Sequence, residues 1–390
     1  MIVVRVLLMS ASFGDGHMQA ANAVGEALRR RGVTVKLVDY TQWLNPALRS
    51  FAKFSLIQGV QLAPALYEVF YKSMSRLDRD SSLQRRINRL GMAKFKRCLK
   101  AYAPDVVVST FPTPNGVMAQ LREQGFTRIP VAAVLTDYTA HGQWVQEHTK
   151  LYFVATEQVK AELTALGVAS ERIVVSGMPI RTRFEDSGAR QALARRRELR
   201  QAERLSAERP LVLLMGGGAG LVADVAEWME VMQATPVQFA VICGRNDKLY
   251  RRLRPLHSDR IRVLGYTTEM ERWMAMADVV VTKPGGITVA EALAMELPML
   301  LYHPIPGQEV CNGQYVVDLG AARWVTDIQH AAEELRQLQE HPDNLQAMRR
   351  AARAAHRRGA AGRIAEWLMR YAADEAGTPM PVIGQPGGWE

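Results

Sequence analysis

The stretch Lys283-Pro284-Gly285-Gly286-Ile287-Thr288-Val289-Ala290-Glu291-Ala292-Leu293-Ala294 constrains the fold more than any other part of the chain. Just ahead of it, Asp278 to Val281 is a short β-branched apolar run, the pattern of a strand buried in a parallel sheet. A Pro-Gly-Gly turn follows, and a helix begins directly after it. The N–H groups of a glycine-rich helix start have no partner inside the helix and attract phosphate. Glu291, about one turn in, is placed to accept the hydroxyls of a ribose, so the stretch reads as half of a sugar-nucleotide site. A second, local reading is a capping box, because Thr288-x-x-Glu291 fits that pattern.

Length and charge bound the rest. With 390 residues the chain has room for two or three domains at about 150 residues each. A formal charge of +10 points to an anionic partner: a phosphorylated substrate, a membrane surface or nucleic acid. Cys98, Cys243 and Cys311 are far apart and odd in number, which indicates neither a disulfide framework nor a zinc knuckle. A reduced, cytoplasmic setting is expected. No run of about 18 apolar residues predicts a transmembrane helix. Met1 to Met9 holds Arg5 and leads into a glycine turn, so it reads as a first strand rather than a signal peptide.

In chain order, Ile2–Met9 is followed by Ser10-Ala11-Ser12-Phe13-Gly14-Asp15-Gly16-His17, with His17 expected on a loop. A helix comes next, with Ala20, Ala21, Val24, Ala27 and Leu28 on one face, and then strand Val33–Val38. This is a right-handed βαβ unit. It lacks the dinucleotide fingerprint, because the third glycine would fall at Gln19. Pro46 to Tyr102 is basic and aromatic, with few acids. It suits an anionic membrane surface; it equally fits a packed helical pair with a solvated basic face. Asp78-Arg79-Asp80 resembles a metal-binding Asp-x-Asp, but no strand precedes it, so it is not taken as a ligand pair. Further strands are expected at Asp105–Thr110, Val131–Thr136, Leu151–Thr156 and Ile173–Ser176. Polar residues follow their carboxyl ends, where ligands of parallel sheets bind. Arg190–Arg209 reads as a solvated surface helix.

A second α/β half begins at Leu211. Strand Leu211–Met215 runs into Gly216-Gly217-Gly218-Ala219-Gly220. Val237–Cys243 ends in Gly244-Arg245-Asn246, and Ile261–Leu264 ends in Gly265-Tyr266. After Pro298–Tyr302 comes the polar loop His303 to Asn312. One basic helix, Gln346–Tyr371, closes the ordered chain, and Gly377–Glu390 has the composition of a frayed tail.

Four stretches resemble a known family. Gly14-Asp15-Gly16-His17 is similar to its N-terminal Gly-x-Gly-His loop. Leu135-Thr136-Asp137-Tyr138, with His141 and Trp144, is similar to its acceptor-side block. Ser176-Gly177-Met178-Pro179-Ile180-Arg181 is similar to its inter-domain segment. Lys283 through Glu291, with Pro306-Gly307-Gln308-Glu309 and Asn312, is similar to its UDP-sugar signature. On these motifs, spread from about Ile2 to about Arg370, the chain resembles the monogalactosyldiacylglycerol synthase and processive diacylglycerol glucosyltransferase family, glycosyltransferase family 28.

The resemblance implies an α/β GT-B fold: two Rossmann-like domains facing a cleft. Residues 1–180 would bind acceptor and membrane, 181–370 would bind the donor, and 371–390 would be a tail, with the last helix free to pack back on the first domain. The implied reaction is inverting transfer of glucose or galactose from a UDP-hexose to diacylglycerol, or to its monoglycosyl product. It needs no cofactor and no bound metal, and occurs at the cytoplasmic face of an anionic membrane. His17 and Asp137 are the implied catalytic pair, either of them the base. Gly16, Gly217, Gly218, Arg245, Tyr266, Gly285, Gly286, Ile287, Thr288, Glu291, Gln308, Glu309 and Asn312 are the donor set. His141 and Trp144 lie on the acceptor side, with Trp144 alternatively an ordinary packed aromatic. The alternative enzyme is the N-acetylglucosaminyltransferase that acts on a polyprenyl-linked peptidoglycan precursor. Nucleic-acid binding is disfavoured, because no reader motif accompanies the basic residues.

Overall fold

The apolar runs pair as two separate parallel sheets of six strands each. The computed structural model describes residues 4–12, 15–45, 82–186, 189–220 and 222–375. The first sheet holds β1 (Arg5–Ser10), β2 (Thr34–Asp39), β3 (Val106–Ser109), β4 (Val131–Val134), β5 (Thr149–Val154) and β6 (Ile173–Val175), in the order β2-β1-β3-β4-β5-β6. The second holds β7 (Leu211–Met215), β8 (Gln238–Ile242), β9 (Ile261–Leu264), β10 (Val279–Thr282), β11 (Met299–Leu301) and β12 (Ala322–Trp324), in the order β12-β11-β10-β7-β8-β9. The inner strands β3 and β7 are buried along their whole length because helices cover both faces, and all but Ser109 of their residues are apolar.

Each sheet grows outward in two directions from its first strand. The reversals fall between β1 and β3 and between β7 and β10. Crevices at such reversals, beyond the carboxyl ends of the strands, are where parallel sheets bind ligands. The segments leaving β1, β7 and β10 carry Gly16, Gly217–Gly218 and Gly285–Gly286, so the topology brings those motifs to one cleft.

The first domain's core joins Val6, Leu8, Val106 and Val108 to Ala23, Val24, Ala27 and Leu28 of the Asp15–Arg29 helix. The same cluster contains Ala361, Ile364, Ala365 and Leu368. Their helical spacing makes one apolar face on the last helix, Ala360–Glu375, and that face packs on the first domain. Arg31 to Glu366 (2.9 Å) and Arg363 to the Ser176 carbonyl (2.7 Å) pin it there.

Two expectations are corrected. The closing basic helix is broken into Pro342–Ala355 and Ala360–Glu375. Gly359 supplies the left-handed turn between them (φ 74°), and its N–H donates to Glu185 at 2.7 Å. The break is needed because Met348 and Ala352 belong to second-domain cores and Ile364 to the first. The arginines of the Ala189–Ala202 helix are not all solvated either. Arg200, 3% exposed, donates to the Met276 carbonyl (2.6 Å) and pairs with Asp278 (2.6 Å). Arg196 (3.0 Å) and Arg349 (3.3 Å) complete a ring around the same carboxylate, which also accepts the Leu211 N–H at 2.8 Å. Burial alone would raise the Asp278 carboxyl; Arg196, Arg200 and the Leu211 N–H outweigh it and hold it below the usual range. A buried cation needs such a partner, so these arginines tie β7 to β10 at the end away from the cleft.

Phe51, Phe54, Leu56, Leu66, Tyr67, Phe70, Tyr71, Asp78 and Asp80 lie outside the described residues. Among the described residues, no helix is long and apolar enough to cross a membrane.

Candidate active site

On the first-domain lip, the chain leaves β1 and turns into the Asp15–Arg29 helix. His17 is its third residue, in the first helical turn rather than on a loop; Gly14 lies outside the described residues. His17 Nδ1 and Thr136 Oγ1 are 2.7 Å apart, and the ring meets Phe111 edge-on at 5.1 Å. The Thr110 hydroxyl donates to the His17 carbonyl (3.1 Å) and lies in hydrogen-bond contact with the Ser10 hydroxyl (2.9 Å), so the ends of β1, β3 and β4 are bonded together beneath the imidazole. Burial pushes His17 below its ordinary range, against the raising influence of the nearby Asp137 carboxylate.

Among the described residues no hydrogen bond joins Asp137 to His17; Thr136 holds the imidazole instead. The Asp137 oxygens accept from Asn312 Nδ2 (3.0 Å) and Gln308 Nε2 (3.4 Å), both on the second domain. The following loop is anchored by Glu162, which accepts from Thr139 (3.0 Å) and from the Ala140 N–H (2.7 Å). His141 lies between these anchors and Trp144. Burial lowers its pKa to about 4, with Asp137 opposing and His17 reinforcing. Trp144, 1% exposed, is a core residue packed among Leu135, Tyr152 and Val159. Its expected place at the acceptor mouth is therefore corrected: a large apolar ring gains more from this core than from a cleft wall.

On the second-domain lip, the Gly-rich loop after β7 needs its glycines. Gly220 has φ 63°, and a Cβ there would run into the Cys243 carbonyl. The Gly218 carbonyl accepts the Arg245 N–H (2.9 Å). The Arg245 guanidinium lies over the Tyr266 ring at 4.3 Å and bonds Asp15 of the first domain at 2.8 and 3.0 Å. Asp15 was not among the expected site residues, although it lies inside the Gly-x-Gly-His stretch.

The Pro-Gly-Gly turn leads into the Gly286–Ala294 helix, with Gly285 as an N-cap that offers no side chain. Val289 is the first N–H to bond back, to the Gly285 carbonyl at 2.9 Å. The N–H groups of Gly286, Ile287 and Thr288 therefore stand outside the helical ladder. A capping box is excluded: Thr288 and Glu291 are both interior helix residues, so Thr288 is not the cap. Gly286 is buried against the Thr136 carbonyl, where a Cβ would clash, and Gly16 faces Ile287 in the same seam. The two lips thus meet glycine to backbone.

The Glu291 carboxyl makes no side-chain hydrogen bond among the described residues, although its carbonyl accepts the Met295 N–H at 3.0 Å. Burial raises its carboxyl to about 8; Arg183 opposes this and Glu271 adds to it. Glu309 is engaged by its own domain, through Lys283 Nζ at 3.0 Å and the Ile305 N–H at 2.6 Å. Asn312, fully buried, donates to Asp137 and accepts the Tyr138 N–H (2.7 Å), so its amide straps the two domains together. Those partners lie more than a hundred residues away in sequence, so this bridge was not legible beside the donor role expected of Asn312.

Solved structures share this plan. A MurG from Acinetobacter baumannii matches with a TM-score of 0.60 at 16% identity, over 94% of this chain and 99% of that one. An S. aureus MnaA structure with UDP matches with a TM-score of 0.62 at 14% identity, over 97% and 99%. At such identities the likeness speaks for the fold, which is the two-domain GT-B architecture. A family profile described as monogalactosyldiacylglycerol (MGDG) synthase matches residues 17–180, and the glycosyltransferase family 28 C-terminal domain matches residues 211–364. Processive diacylglycerol beta-glucosyltransferases of Bacillus cytotoxicus and Bacillus cereus are each 30% identical over 370 residues, 94% of this chain and 93% of theirs. The chain belongs to this family of diacylglycerol glycosyltransferases.

Proposed function

We propose that this protein transfers a hexose, glucose in the first instance, from a UDP-sugar to the hydroxyl of diacylglycerol or of its monoglycosyl product, with inversion at the anomeric carbon. One observation carries this most: the bare start of the Gly286–Ala294 helix is pressed against Thr136, whose hydroxyl holds His17. A group that accepts a proton and a group that accepts negative charge are thus neighbours.

In this reading the His17 tautomer with its proton on Nδ1 donates to Thr136, leaving Nε2 to take the acceptor proton. The depressed pKa keeps the imidazole neutral and ready at neutral pH. Asp137 is the weaker candidate for base, since its oxygens already accept from Asn312 and Gln308. The acceptor oxygen attacks the anomeric carbon as the bond to UDP breaks. The charge on the leaving diphosphate is met by the N–H groups of Gly286, Ile287 and Thr288, with Gly217, Gly218 and Arg245 on its other side. No cofactor or bound metal is required for these steps. Glu291 holds the ribose, Tyr266 flanks the base, and Gln308 reads the sugar.

The acceptor remains in a bilayer, so the protein comes to the surface. Lys94, Arg97 and Lys100 are exposed on the Met92–Tyr102 helix, whose Phe95 and Leu99 face the core. That face supports peripheral binding to anionic lipid on the cytoplasmic side. The 30%-identical relatives weigh against the peptidoglycan-precursor alternative. The test is to incubate the protein, with and without EDTA, with vesicles carrying diacylglycerol or a polyprenyl-linked peptidoglycan precursor and UDP-glucose, UDP-galactose or UDP-N-acetylglucosamine, and resolve the products. Glycosyl-diacylglycerol from UDP-glucose that survives EDTA is expected. Turnover only of UDP-N-acetylglucosamine on a polyprenyl acceptor would replace this reading.

A further inference from the structure

Arg245 is held in three ways. Its N–H is fixed on the Gly218 carbonyl (2.9 Å), its guanidinium lies on Tyr266 (4.3 Å), and Nη1 alone reaches across the cleft to Asp15 (2.8 and 3.0 Å). The remaining guanidinium donors, Nε and Nη2, have no protein partner among the described residues. Such a planar fork suits a phosphate better than a single carboxylate edge. The Asp15 carboxylate also lies directly on Gly218, at the position a Cβ would occupy. It therefore touches both the cation and the glycine loop that a diphosphate seated on Gly217 and Gly218 would use.

An acid in the first turn of the Asp15–Arg29 helix is favoured by the helix dipole. That explains an acid at this position, but not its reach to the other domain. The pair is open to water, with side-chain exposures of 56% for Arg245 and 36% for Asp15. Exposed pairs of this kind exchange partners at little cost.

We propose that Asp15 is the resident counter-charge of the donor phosphate site. It occupies Arg245 and Gly218, and gives both up to the diphosphate of the incoming UDP-sugar. This rests on the donor reading given above. Because His17 lies two residues further along the same helix, release of Asp15 links arrival of the donor to the setting of the catalytic imidazole. After transfer, Asp15 competes again for Arg245 and aids departure of UDP.

The test uses the full-length protein and two probes, uridine and UDP, titrated by calorimetry into wild type, D15N, R245A and the double variant. D15N is expected to bind UDP two- to fivefold more tightly, with uridine affinity unchanged, since only the phosphates compete with Asp15. The gain should shrink with added salt, and should vanish in the R245A background. Melting curves confirm that each variant is folded; Asn retains the size of Asp. Equal or weaker UDP binding by D15N, or a gain that persists without Arg245, overturns the proposal while wild-type UDP binding leaves the donor reading intact. No UDP binding by the wild type would overturn both.

Discussion

Two helix starts face each other across the cleft, and they are made of different materials. The Asp15–Arg29 helix opens with side chains that titrate: Asp15 and His17 both lie in its first turn. The Gly286–Ala294 helix opens with two glycines and no capping side chain. Both carry the same backbone dipole, so local geometry alone would make either a phosphate site. The first supplies its own anion in Asp15. The second leaves its N–H groups to a ligand. In the proposed reading, the acceptor and donor sides differ in which helix start already carries an acid of its own.

The largest test of that division is His17→Ala. Turnover should fall about a hundredfold or more, the scale of a lost general base, while UDP titration gives an unchanged affinity. A proportionate loss of UDP affinity would move His17 to the donor side and erase the contrast.

Next comes Glu291→Ala, which should weaken UDP binding about tenfold or more above pH 8, where the carboxylate is charged and hydrogen bonds to it are each worth about 1.5–3 kcal/mol. Its turnover at saturating donor should change far less. The pH dependence sharpens this. Glu291 titrates at about 8 in the folded protein, against about 4.3 in an unfolded chain. Between those values the folded state keeps a proton that the unfolded state has released. Its contribution to stability is therefore complete below the lower value and declines as pH rises towards 8. Glu291→Gln, neutral throughout, should flatten that slope in melting curves taken from pH 5 to 9. Wild-type UDP affinity should improve as pH rises through about 8, and that of Glu291→Gln should not.

The smallest expected effect per residue is at the membrane. Changing Lys94, Lys96, Arg97 and Lys100 to Glu should weaken binding to anionic vesicles, at about 1 kcal/mol per residue at best, in a manner screened by salt. UDP affinity should not move, because the donor lip is on the other domain. Lys96 and Lys100 also lie over the Phe126 ring, at 4.8 and 5.5 Å, so a slight loss of melting temperature should accompany the change. Equal binding to neutral and anionic vesicles would end the electrostatic account.

Much of this was legible before any coordinates. The buried strands announce themselves as apolar runs, the glycine turns follow β7 and β10, and the face of the Asp15–Arg29 helix follows from its alanine spacing. These are properties of neighbours in sequence, set by backbone sterics and the period of a helix or strand. His17 and Glu291 stand out in sequence beside glycine turns, and Asp137 at the carboxyl end of a strand.

Their partners were not legible. That Thr136 rather than Asp137 holds His17, and that Asn312 bonds Asp137 across the domains, depends on how two sheets meet. That Trp144 fills a core, and that Arg196, Arg200 and Arg349 close around Asp278, depends on burial, which decides whether a polar or aromatic group must find a partner inside. The amino-acid sequence by itself determined the two α/β units, their order and the turns that can hold phosphate. Only the tertiary structure decided that the two helix starts face each other. That juxtaposition rests on the contact of Asp15 with Arg245 and of Gly286 with Thr136, pairs separated by more than a hundred residues and joined where the two domains meet.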